Sequence, residues 1–242
     1  MLSSAANAAV RPESATIVFV APFDEAFVRT TPFGVLAALH LPGVGSPASA
    51  ELLHADEQVL AAAIPPRRRA EWIGGRLAFW RAAAELGVPR GALGTGPRGE
   101  PMLPEGLAGS ISHKSALAVA LVAHANGASV GVDLETLSPP RPAIEDIALR
   151  SDERDALRAI PEAERWPRLV LAFAVKEALY KALHPRLQRF VRYDEAAVVF
   201  EGGVPGIVLH LDGGTRVVTE VRVEPIDGYA LSCVRVTIPE RT

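Results

Sequence analysis

The chain of 242 residues has a single cysteine, Cys233, and no long hydrophobic run. One thiol cannot form an intramolecular disulfide, so we expect a reducing compartment, the cytoplasm. The longest apolar run, residues 116–123, is as long as a strand and far short of the roughly 18 residues that a membrane helix needs. The N-terminus lacks the basic start and apolar core of a signal peptide. These absences argue against a secreted or membrane protein.

The chain also has no surplus of positive charge, because its net charge is -3 with 22% charged residues. A nucleic-acid partner or an anionic membrane surface is therefore not expected. Hydrophobic residues make up 49% of the chain, which is ordinary for a globular protein. The length allows one large domain or two small ones packed together, and we expect a monomer.

Helical and strand patterns occur in blocks along the chain. Periodicity, with Gly and Pro at the ends, predicts helices over residues 49–64, 67–86, 143–160 and 164–183, the last ended by Pro185. Apolar or alternating runs predict strands over residues 16–21, 117–122, 129–134, 197–200, 207–211, 217–223 and 229–238. Residues 43–47 and 91–109, rich in Gly and Pro, predict loops. Because strands and helices are segregated, the pattern favours an α+β fold.

Asn126-Gly127 is a strong tight-turn signal near the middle of the chain. We therefore predict a flexible N-terminus over residues 1–15, a first α+β half over 16–127 and a second over 128–242. No short sequence repeat of fixed period links the two halves.

Two carboxylates end one of the predicted strands, in Gly131-Val132-Asp133-Leu134-Glu135. Alternation along a strand places Asp133 and Glu135 on one face and Leu134 on the other. Two neighbouring carboxylates are costly unless a positive charge lies between them. Mg²⁺ suits such oxygen ligands and is often held by a few carboxylates together with substrate phosphates. An isolated D-x-E is nevertheless more often a solvated pair of acids.

A second pair of charges lies on the long predicted helix, in Phe173-Ala174-Val175-Lys176-Glu177-Ala178-Leu179-Tyr180-Lys181. Glu177 and Lys181 are spaced i,i+4 and share one helix face. An ordinary surface ion pair would lie on a polar face, whereas Phe173, Leu179 and Tyr180 surround this one. An acid and a base on an otherwise apolar helix indicate a functional site.

Ser112-His113 precedes a buried strand, where the histidine could donate a hydrogen bond to a phosphate; alone, it is more simply a loop histidine. In this order and approximate spacing, the three strings resemble those of the 4′-phosphopantetheinyl transferase superfamily. Its patterns G-[VI]-D-x-E and F-[SA]-x-K-E-[AS]-x-x-K are matched at every specified position. Further residues resemble the basic helix of the branch that activates siderophore and secondary-metabolite synthases: Arg68, Arg69, Glu71, Gly75 and Arg76.

The resemblance implies a fold of two similar α+β halves in a pseudo-twofold arrangement, with the active site in the cleft between them. It also implies a holo-[acyl-carrier-protein] synthase-type enzyme. Such an enzyme transfers phosphopantetheine from coenzyme A to a serine of an acyl or peptidyl carrier protein and releases adenosine 3′,5′-bisphosphate. Fatty-acid, polyketide and nonribosomal-peptide carriers all remain open as the acceptor.

The resemblance assigns roles to individual residues. Asp133, Glu135 and Glu177 would hold Mg²⁺, and Glu177 would act as the general base, directly or through a water. Lys181 would neutralise or protonate the leaving phosphate, and Ser112 and His113 would bind coenzyme A. Arg68, Arg76 and Arg98 would form a pocket for its 3′-phosphate, because the planar guanidinium suits a phosphate. A basic cluster at a helix N-terminus is unfavourable without an anion to meet it.

Two other functions remain open. The protein could be a regulatory protein that binds coenzyme A or a nucleotide without transferring anything, or a Mg²⁺-dependent nucleotide phosphohydrolase. A dinucleotide site at Gly94-Thr95-Gly96-Pro97-Arg98-Gly99 is rejected, because no strand precedes it and Pro97 interrupts it. Cys233 and the stripe Trp72, Phe79 and Trp80 are predicted to be packing residues.

Overall fold

The computed structural model describes residues 23–43, 50–141, 143–211 and 216–239. The predicted N-terminal segment 1–15, the predicted strand 16–21 and most of the predicted loop 43–47 lie outside the described residues. The remaining predictions can be compared with the structure.

The described residues form five helices and eleven strands in an α+β fold, as predicted. The helices are α1 (Ala55–Ala63), α2 (Pro66–Glu85), α3 (Ile144–Ala148), α4 (Ser151–Arg158) and α5 (Glu162–Leu187). The strands of the first half are β1 (Glu25–Thr31), β2 (Gly34–His40), β3 (Gly94–Thr95), β4 (Pro101–Met102), β5 (Leu107–Lys114) and β6 (Leu117–His124). Those of the second half are β7 (Ala128–Thr136), β8 (Ala196–Glu201), β9 (Val204–Leu209), β10 (Val218–Ile226) and β11 (Tyr229–Thr237). No helix of these described segments has both the length and the hydropathy needed to cross a membrane.

The two main sheets lie between the two long helices. Strands in the order β1-β2-β6-β5 form the first sheet, and β10-β11-β7 form the second. In β6, Ala118, Ala120 and Val122 join the core under α2, while Leu117, Val119 and Leu121 join a core shared with the second sheet. Val130, Val132 and Leu134 of β7 complete that shared core. Because both faces of β6 are buried, its sequence is a continuous apolar run rather than an alternating one.

The same connectivity occurs in both halves. In the first, β2 is followed by α2, the small hairpin β3–β4 and the hairpin β5–β6, whose second strand pairs antiparallel with β2. In the second, β7 is followed by α5, the hairpin β8–β9 and the hairpin β10–β11, whose second strand pairs antiparallel with β7. The order of elements therefore matches the two similar halves that the resemblance implied. The exact boundary at residue 127 stays a proposal.

The two halves also correspond in their side chains, because each has a buried glutamate that caps a short helix. Glu57 of α1 accepts hydrogen bonds from His54 N (3.2 Å) and Leu93 N (3.2 Å) and lies 3.6 Å from Nε of Arg76 on α2. Glu153 of α4 accepts from Arg150 N (2.9 Å), Val198 N (2.7 Å) and, at 2.5 Å, Nζ of Lys176 on α5. In each half, one carboxylate thus connects a short helix, the long helix and the chain that follows it.

Two helix predictions are corrected by the structure. The helix predicted over residues 143–160 is two helices, because Glu153 bonds back to Arg150 N and starts a new helix there. The long helix is not ended by Pro185, since α5 runs through both Pro167 and Pro185 to Leu187. Each proline lies within two turns of a helix end, where packing on β7 and β11 outweighs its lost hydrogen bond.

Five strands were not predicted, and two of them, β3 and β4, form a small hairpin inside the predicted loop 91–109. Strands β1 and β2 form a hairpin through Gly34, whose φ of 137° only glycine adopts easily and where a Cβ would collide with Val122 O. Strand β5 covers residues after Leu107 that were assigned to a loop or left unassigned. Its alternation is hidden because both of its faces are covered, one by α2 and one by β7.

Candidate active site

A glycine determines how closely helix α5 approaches strand β7. A Cβ at Gly131 would collide with the carbonyl oxygen of Ala178, so only glycine allows this contact. Ser129 Oγ, two residues earlier on the same face, donates a hydrogen bond to Ala182 O at 2.6 Å. The polar face of β7 therefore lies directly under the helix that carries Glu177 and Lys181. This explains physically why glycine begins the G-V-D-L-E string.

Asp133 lies at the centre of this contact and is 5% exposed. Its Oδ1 accepts hydrogen bonds from Lys181 Nζ at 2.7 Å and from Ser112 Oγ at 2.9 Å. Its Oδ2 is buried and has no hydrogen-bond partner among the described residues. A buried carboxylate oxygen without a partner is costly, so it is a natural position for a ligand.

Glu135 follows Asp133 on the same face, as the strand alternation predicted. Its Oε2 is paired with Lys114 Nζ and with a guanidinium nitrogen of Arg141, each at 2.7 Å. Lys114 ends β5 in the first half, and Arg141 lies in the loop after β7. Glu135 therefore joins the two halves, and its charge is already offset by two cations.

Glu177 faces this strand from α5. Its Oε1 accepts a hydrogen bond from the phenol of Tyr193. Burial raises the pKa of Glu177 above its ordinary value; the Tyr193 hydrogen bond opposes this rise, and the nearby charge of Asp133 adds to it. Lys181 lies one turn further along and pairs with Asp133, while also donating to Val132 O at 3.0 Å. The i,i+4 pair thus shares one helix face, and the lysine is oriented by the strand.

The carboxylates around Asp133 have the chemistry that Mg²⁺ prefers, although they are not arranged as a complete ligand set. As they are placed, no three His, Cys, Asp or Glu side chains of the described residues form a group that could hold a metal ion. However, Asp133 offers one oxygen without a partner, and the charges of Asp133 and Glu135 both raise the pKa of Glu177. Oxygen ligands of this kind suit a hard cation that takes its remaining ligands from phosphate and water. The three carboxylates therefore fit Mg²⁺ chemically. For Glu135 to take part, it must either release Lys114 and Arg141 or bind the cation through a water.

The side chains of Ser112 and His113 lie on opposite faces of strand β5. Ser112 and Ser110 face β7, where Ser110 Oγ accepts from Val132 N at 3.1 Å. His113 faces α2 instead, with its Nδ1 3.4 Å from a carboxylate oxygen of Glu71. Burial lowers the pKa of His113; the charge of Glu71 opposes this, and Lys181 and Arg68 lower the pKa further. The histidine therefore lies between the basic end of α2 and the lysine of α5.

The predicted basic residues are not equivalent. Arg68 is exposed at the start of α2 and is close enough to affect His113. Arg98 is also exposed, and its guanidinium lies 3.2 Å from His184 Nε2 on α5. Arg76 is 4% exposed; it donates to Thr95 Oγ1 at 2.9 Å and its guanidinium carbon lies 3.3 Å from the centre of the Trp72 ring. Its predicted direct contact with a phosphate stays a prediction, and its burial argues against it.

The residues predicted to be core do lie in the core. Phe79 and Trp80 are buried with their rings edge to face, 5.4 Å apart, and Trp72 packs against them at the edge of the same cluster. Cys233 is buried in the core between the two sheets, where burial raises its pKa to about 12. Such a thiol is a packing residue rather than a nucleophile.

Three residues of the site were missed from the sequence: Lys114, Arg141 and Tyr193. Alternation from Ser110 and Ser112 would have placed Lys114 toward β7, had residues 107–114 been recognised as a strand. Arg141 and Tyr193 lie in segments without periodicity, and nothing in the sequence places either beside a carboxylate.

Known proteins are similar to this chain along most of its length. The model of the 4′-phosphopantetheinyl transferase N-terminal domain matches residues 55–123. The model of the 4′-phosphopantetheinyl transferase superfamily matches residues 129–234, which include the Asp133 and Glu177 segments. Together the two models cover both halves that the connectivity distinguishes.

Curated relatives agree with this match. The 4′-phosphopantetheinyl transferase Npt of Nocardia iowensis is 36% identical over 148 residues, 61% of this chain and 65% of the relative. Enterobactin synthase component D of Salmonella typhi is 39% identical over 124 residues, half of each chain. The transferase Svp of Streptomyces mobaraensis is 31% identical over 205 residues, 79% of this chain and 81% of its own.

The alignments with Npt and with the Salmonella protein thus span about two thirds and one half of those proteins. The longer alignment with Svp extends over both halves, and the predicted branch is confirmed by these relatives. With family models over both halves and a relative alignable along most of its length, the chain belongs to the 4′-phosphopantetheinyl transferase superfamily.

Proposed function

We propose that the protein transfers the 4′-phosphopantetheine arm of coenzyme A to a serine of a carrier protein and releases adenosine 3′,5′-bisphosphate. One observation carries this proposal. Asp133, with one oxygen bound to Lys181 and the other without a partner, lies under the helix that presents Glu177. Family membership and the names of the relatives support the same activity.

The reaction forms a bond between the serine oxygen and the β-phosphorus of coenzyme A. It breaks the bond from that phosphorus to the bridging oxygen, which leaves with the α-phosphate. Glu177 takes the proton of the serine hydroxyl, directly or through a water. Burial raises the pKa of Glu177 above its ordinary value, and a higher pKa makes a carboxylate a stronger base. Most of the acceleration in phosphoryl transfer comes from positioning and charge neutralisation rather than from covalent help.

Lys181 stabilises the leaving phosphate. Its Nζ is held by Val132 O and Asp133 Oδ1, and its side chain is 31% exposed, so a third donor position can reach a substrate oxygen. Asp133, Glu135 and Glu177 would hold Mg²⁺, which when bound supplies charge neutralisation at the pyrophosphate oxygens. Glu135 is paired with Lys114 and Arg141, so it would reach the cation through a water or after leaving these partners.

The basic residues of the first half bind the nucleotide end of coenzyme A. Arg68 and Arg98 are exposed; Arg68 is close enough to His113 to affect its pKa, and Arg98 lies beside His184 of α5. His113 donates a hydrogen bond to a phosphate oxygen, with Glu71 beside its Nδ1 orienting the ring. Arg76 is buried below these residues, where it stacks on the Trp72 ring and donates a hydrogen bond to Thr95 Oγ1.

The carrier protein docks on the second half, beside Tyr193. A groove of about 630 Å³ opens there and is lined by Arg150, Arg154, Arg192, Phe190 and Ile147, among others. Phe190 and Ile147 are more than 60% exposed, which is unusual for large apolar side chains near one another. Each arginine is paired with an aspartate, Arg150 with Asp152, Arg154 with Asp146 and Arg192 with Asp194. The exposed apolar side chains, rather than free positive charge, therefore favour a partner helix with an apolar face. Phe190→Ala should raise the KM for the carrier about tenfold and leave the KM for coenzyme A unchanged.

Mass spectrometry tests the proposal. Candidate apo-carrier proteins are incubated with the protein, coenzyme A and Mg²⁺. A gain of about 340 Da on the carrier, the mass of the transferred arm, is the expected result of such a transfer. No gain on any fatty-acid, polyketide or peptidyl carrier would contradict the proposal.

The same assay separates the remaining alternatives. Without a carrier, a transferase leaves coenzyme A intact, whereas a Mg²⁺-dependent phosphohydrolase consumes it. A regulatory protein binds coenzyme A and modifies nothing in either experiment. EDTA should stop transfer and added Mg²⁺ should restore it; transfer that continues in EDTA would remove the metal from the proposal.

A further inference from the structure

Tyr193 contacts the face of α5 that carries Glu177 through its ring, its backbone carbonyl and its phenol. Its ring lies 6.1 Å from that of Phe173 and 5.1 Å from that of Tyr180. Its carbonyl oxygen accepts from Lys176 Nζ at 3.0 Å, and its phenol donates to Glu177 Oε1. These four helix residues lie at positions i, i+3, i+4 and i+7, so Tyr193 covers one continuous stripe of the helix.

The backbone of Tyr193 is held without help from its phenol. Tyr193 begins a short 3₁₀ turn that ends at Glu195. Glu195 accepts two hydrogen bonds from Arg189, at 2.6 Å and 3.0 Å, and one from Arg192 N at 2.8 Å. Lys176, fully buried and bonded to Glu153, fixes the carbonyl of Tyr193. The ring therefore keeps its place whether or not it carries a hydroxyl.

The carboxylate of Glu177 depends on that hydroxyl. Within the described residues, the phenol of Tyr193 is the hydrogen-bond donor recorded for Glu177. The neighbouring phenol of Tyr180 is directed elsewhere and donates to Arg192 O at 3.3 Å. A glutamate side chain has three rotatable bonds and loses orientation when its partner is removed.

We propose that Tyr193 is a positioning residue: its phenol holds one oxygen of Glu177 and leaves the other for the substrate or the cation. The inference rests on the proposed function. Groups that orient a ligating or catalytic carboxylate in this way commonly change metal affinity or activity by 10- to 100-fold when removed. Replacing Tyr193 by Phe removes only the hydroxyl and keeps the ring, so it tests the hydrogen bond to Glu177 alone.

Tyr193→Phe, with Tyr180→Phe as the matched control, tests this role. For Tyr193→Phe we expect kcat to fall about 10- to 100-fold while the KM for coenzyme A changes less than about twofold. We also expect the Kd for Mn²⁺, measured by electron paramagnetic resonance with coenzyme A present, to rise about tenfold. Tyr180→Phe should leave both values within about twofold, and both variants should unfold within about 2 °C of the wild type.

Each outcome decides the question. Wild-type kcat and Mn²⁺ affinity in Tyr193→Phe would overturn the inference, as would equal losses in the two variants. A wild-type protein that binds Mn²⁺ but modifies no carrier contradicts the proposed function alone, and the Mn²⁺ comparison still tests Tyr193. A wild-type protein that neither modifies a carrier nor binds Mn²⁺ contradicts both.

Discussion

The two halves bury a cation at corresponding places but use it differently. In the second half, Lys176 is fully buried and all three of its donors are used, by Ala148 O, Glu153 and Tyr193 O. In the first half, Arg76 lies 3.6 Å from Glu57, and its buried Nε has no hydrogen-bond partner among the described residues. Both halves thus combine a long helix, a capping glutamate and a buried cation. All donors of the cation are used in the second half (the saturated pair), whereas one donor is unused in the first half (the incomplete pair).

The difference shows how one architecture serves two purposes. The saturated pair fixes α5 against α4 and the Tyr193 turn, immediately beside Glu177, where orientation matters most. The incomplete pair lies under a surface with two exposed arginines, Arg68 and Arg98, where an anion is expected. Burial lowers the pKa of Arg76 to about 10, with the charge of Glu57 opposing the fall, so it stays protonated at neutral pH. The first half therefore keeps a buried positive charge beneath this surface.

The largest expected effect breaks the saturated pair. Lys176→Met leaves the carboxylate of Glu153 buried without its cation, which should lower the free energy of unfolding by about 3–5 kcal/mol. The measurement is urea denaturation followed by tryptophan fluorescence. A loss below about 1 kcal/mol would mean that the ion pair does not hold the second half together.

The corresponding change in the first half should cost less. Arg76→Met removes one hydrogen bond, the cation–π contact with Trp72 and a longer ion pair, but the charge of Arg90 remains near the buried Glu57. We expect a loss of about 2 kcal/mol in the same experiment. A loss equal to or greater than that of Lys176→Met would contradict the contrast drawn between the halves.

An exposed arginine tests the anion-binding role of the first half. Arg68→Ala should raise the KM for coenzyme A about tenfold and the KM for dephospho-coenzyme A less than about twofold, since one phosphate contact is worth about 1.4 kcal/mol. Arg67→Ala is the control, because it removes the neighbouring arginine of the same helix end, which is also exposed. Equal effects on both substrates would remove Arg68 from the 3′-phosphate site.

The smallest expected effect is a pH dependence from His113. Its pKa in the folded protein is below the ordinary value of an unfolded chain, mainly because of burial. The unfolded chain therefore binds more protons as the pH falls through about 6.5, and stability is lost on the acid side. His113→Gln should reduce the fall in Tm between pH 7 and pH 5 by about 1–2 °C. An unchanged fall, or the same change in the exposed His210→Gln control, would contradict this.

Much of the site could be predicted because it follows regular geometry. Strand alternation placed Asp133 and Glu135 together and Leu134 in the opposite core, and the i,i+4 spacing placed Glu177 and Lys181 on one face. The long helices and most of the second-half strands followed from periodicity and from Gly and Pro at their ends. These features depend on local sequence, which is why one chain was enough to find them.

The rest depends on contacts between distant segments. Lys114 forms an ion pair with Glu135 only because β5 packs against β7. The alternation that would have identified β5 as a strand is hidden, because both of its faces are buried. Arg76 was expected at a surface pocket, yet Glu57 and Trp72 cover it. Tyr193 reaches Glu177 through a turn that Lys176 and Glu195 hold in place. No local pattern encodes these pairings.

The role of Glu177 is tested by the rate of transfer of Glu177→Gln at saturating coenzyme A, Mg²⁺ and apo-carrier. Glu164→Gln, an exposed glutamate on the same helix, serves as its control. We expect Glu177→Gln to lower kcat by about 10³-fold or more, while the variant stays folded and the Glu164→Gln rate stays near that of the wild type. A Glu177→Gln rate within about threefold of the wild type would contradict the central claim that this carboxylate acts in the transfer.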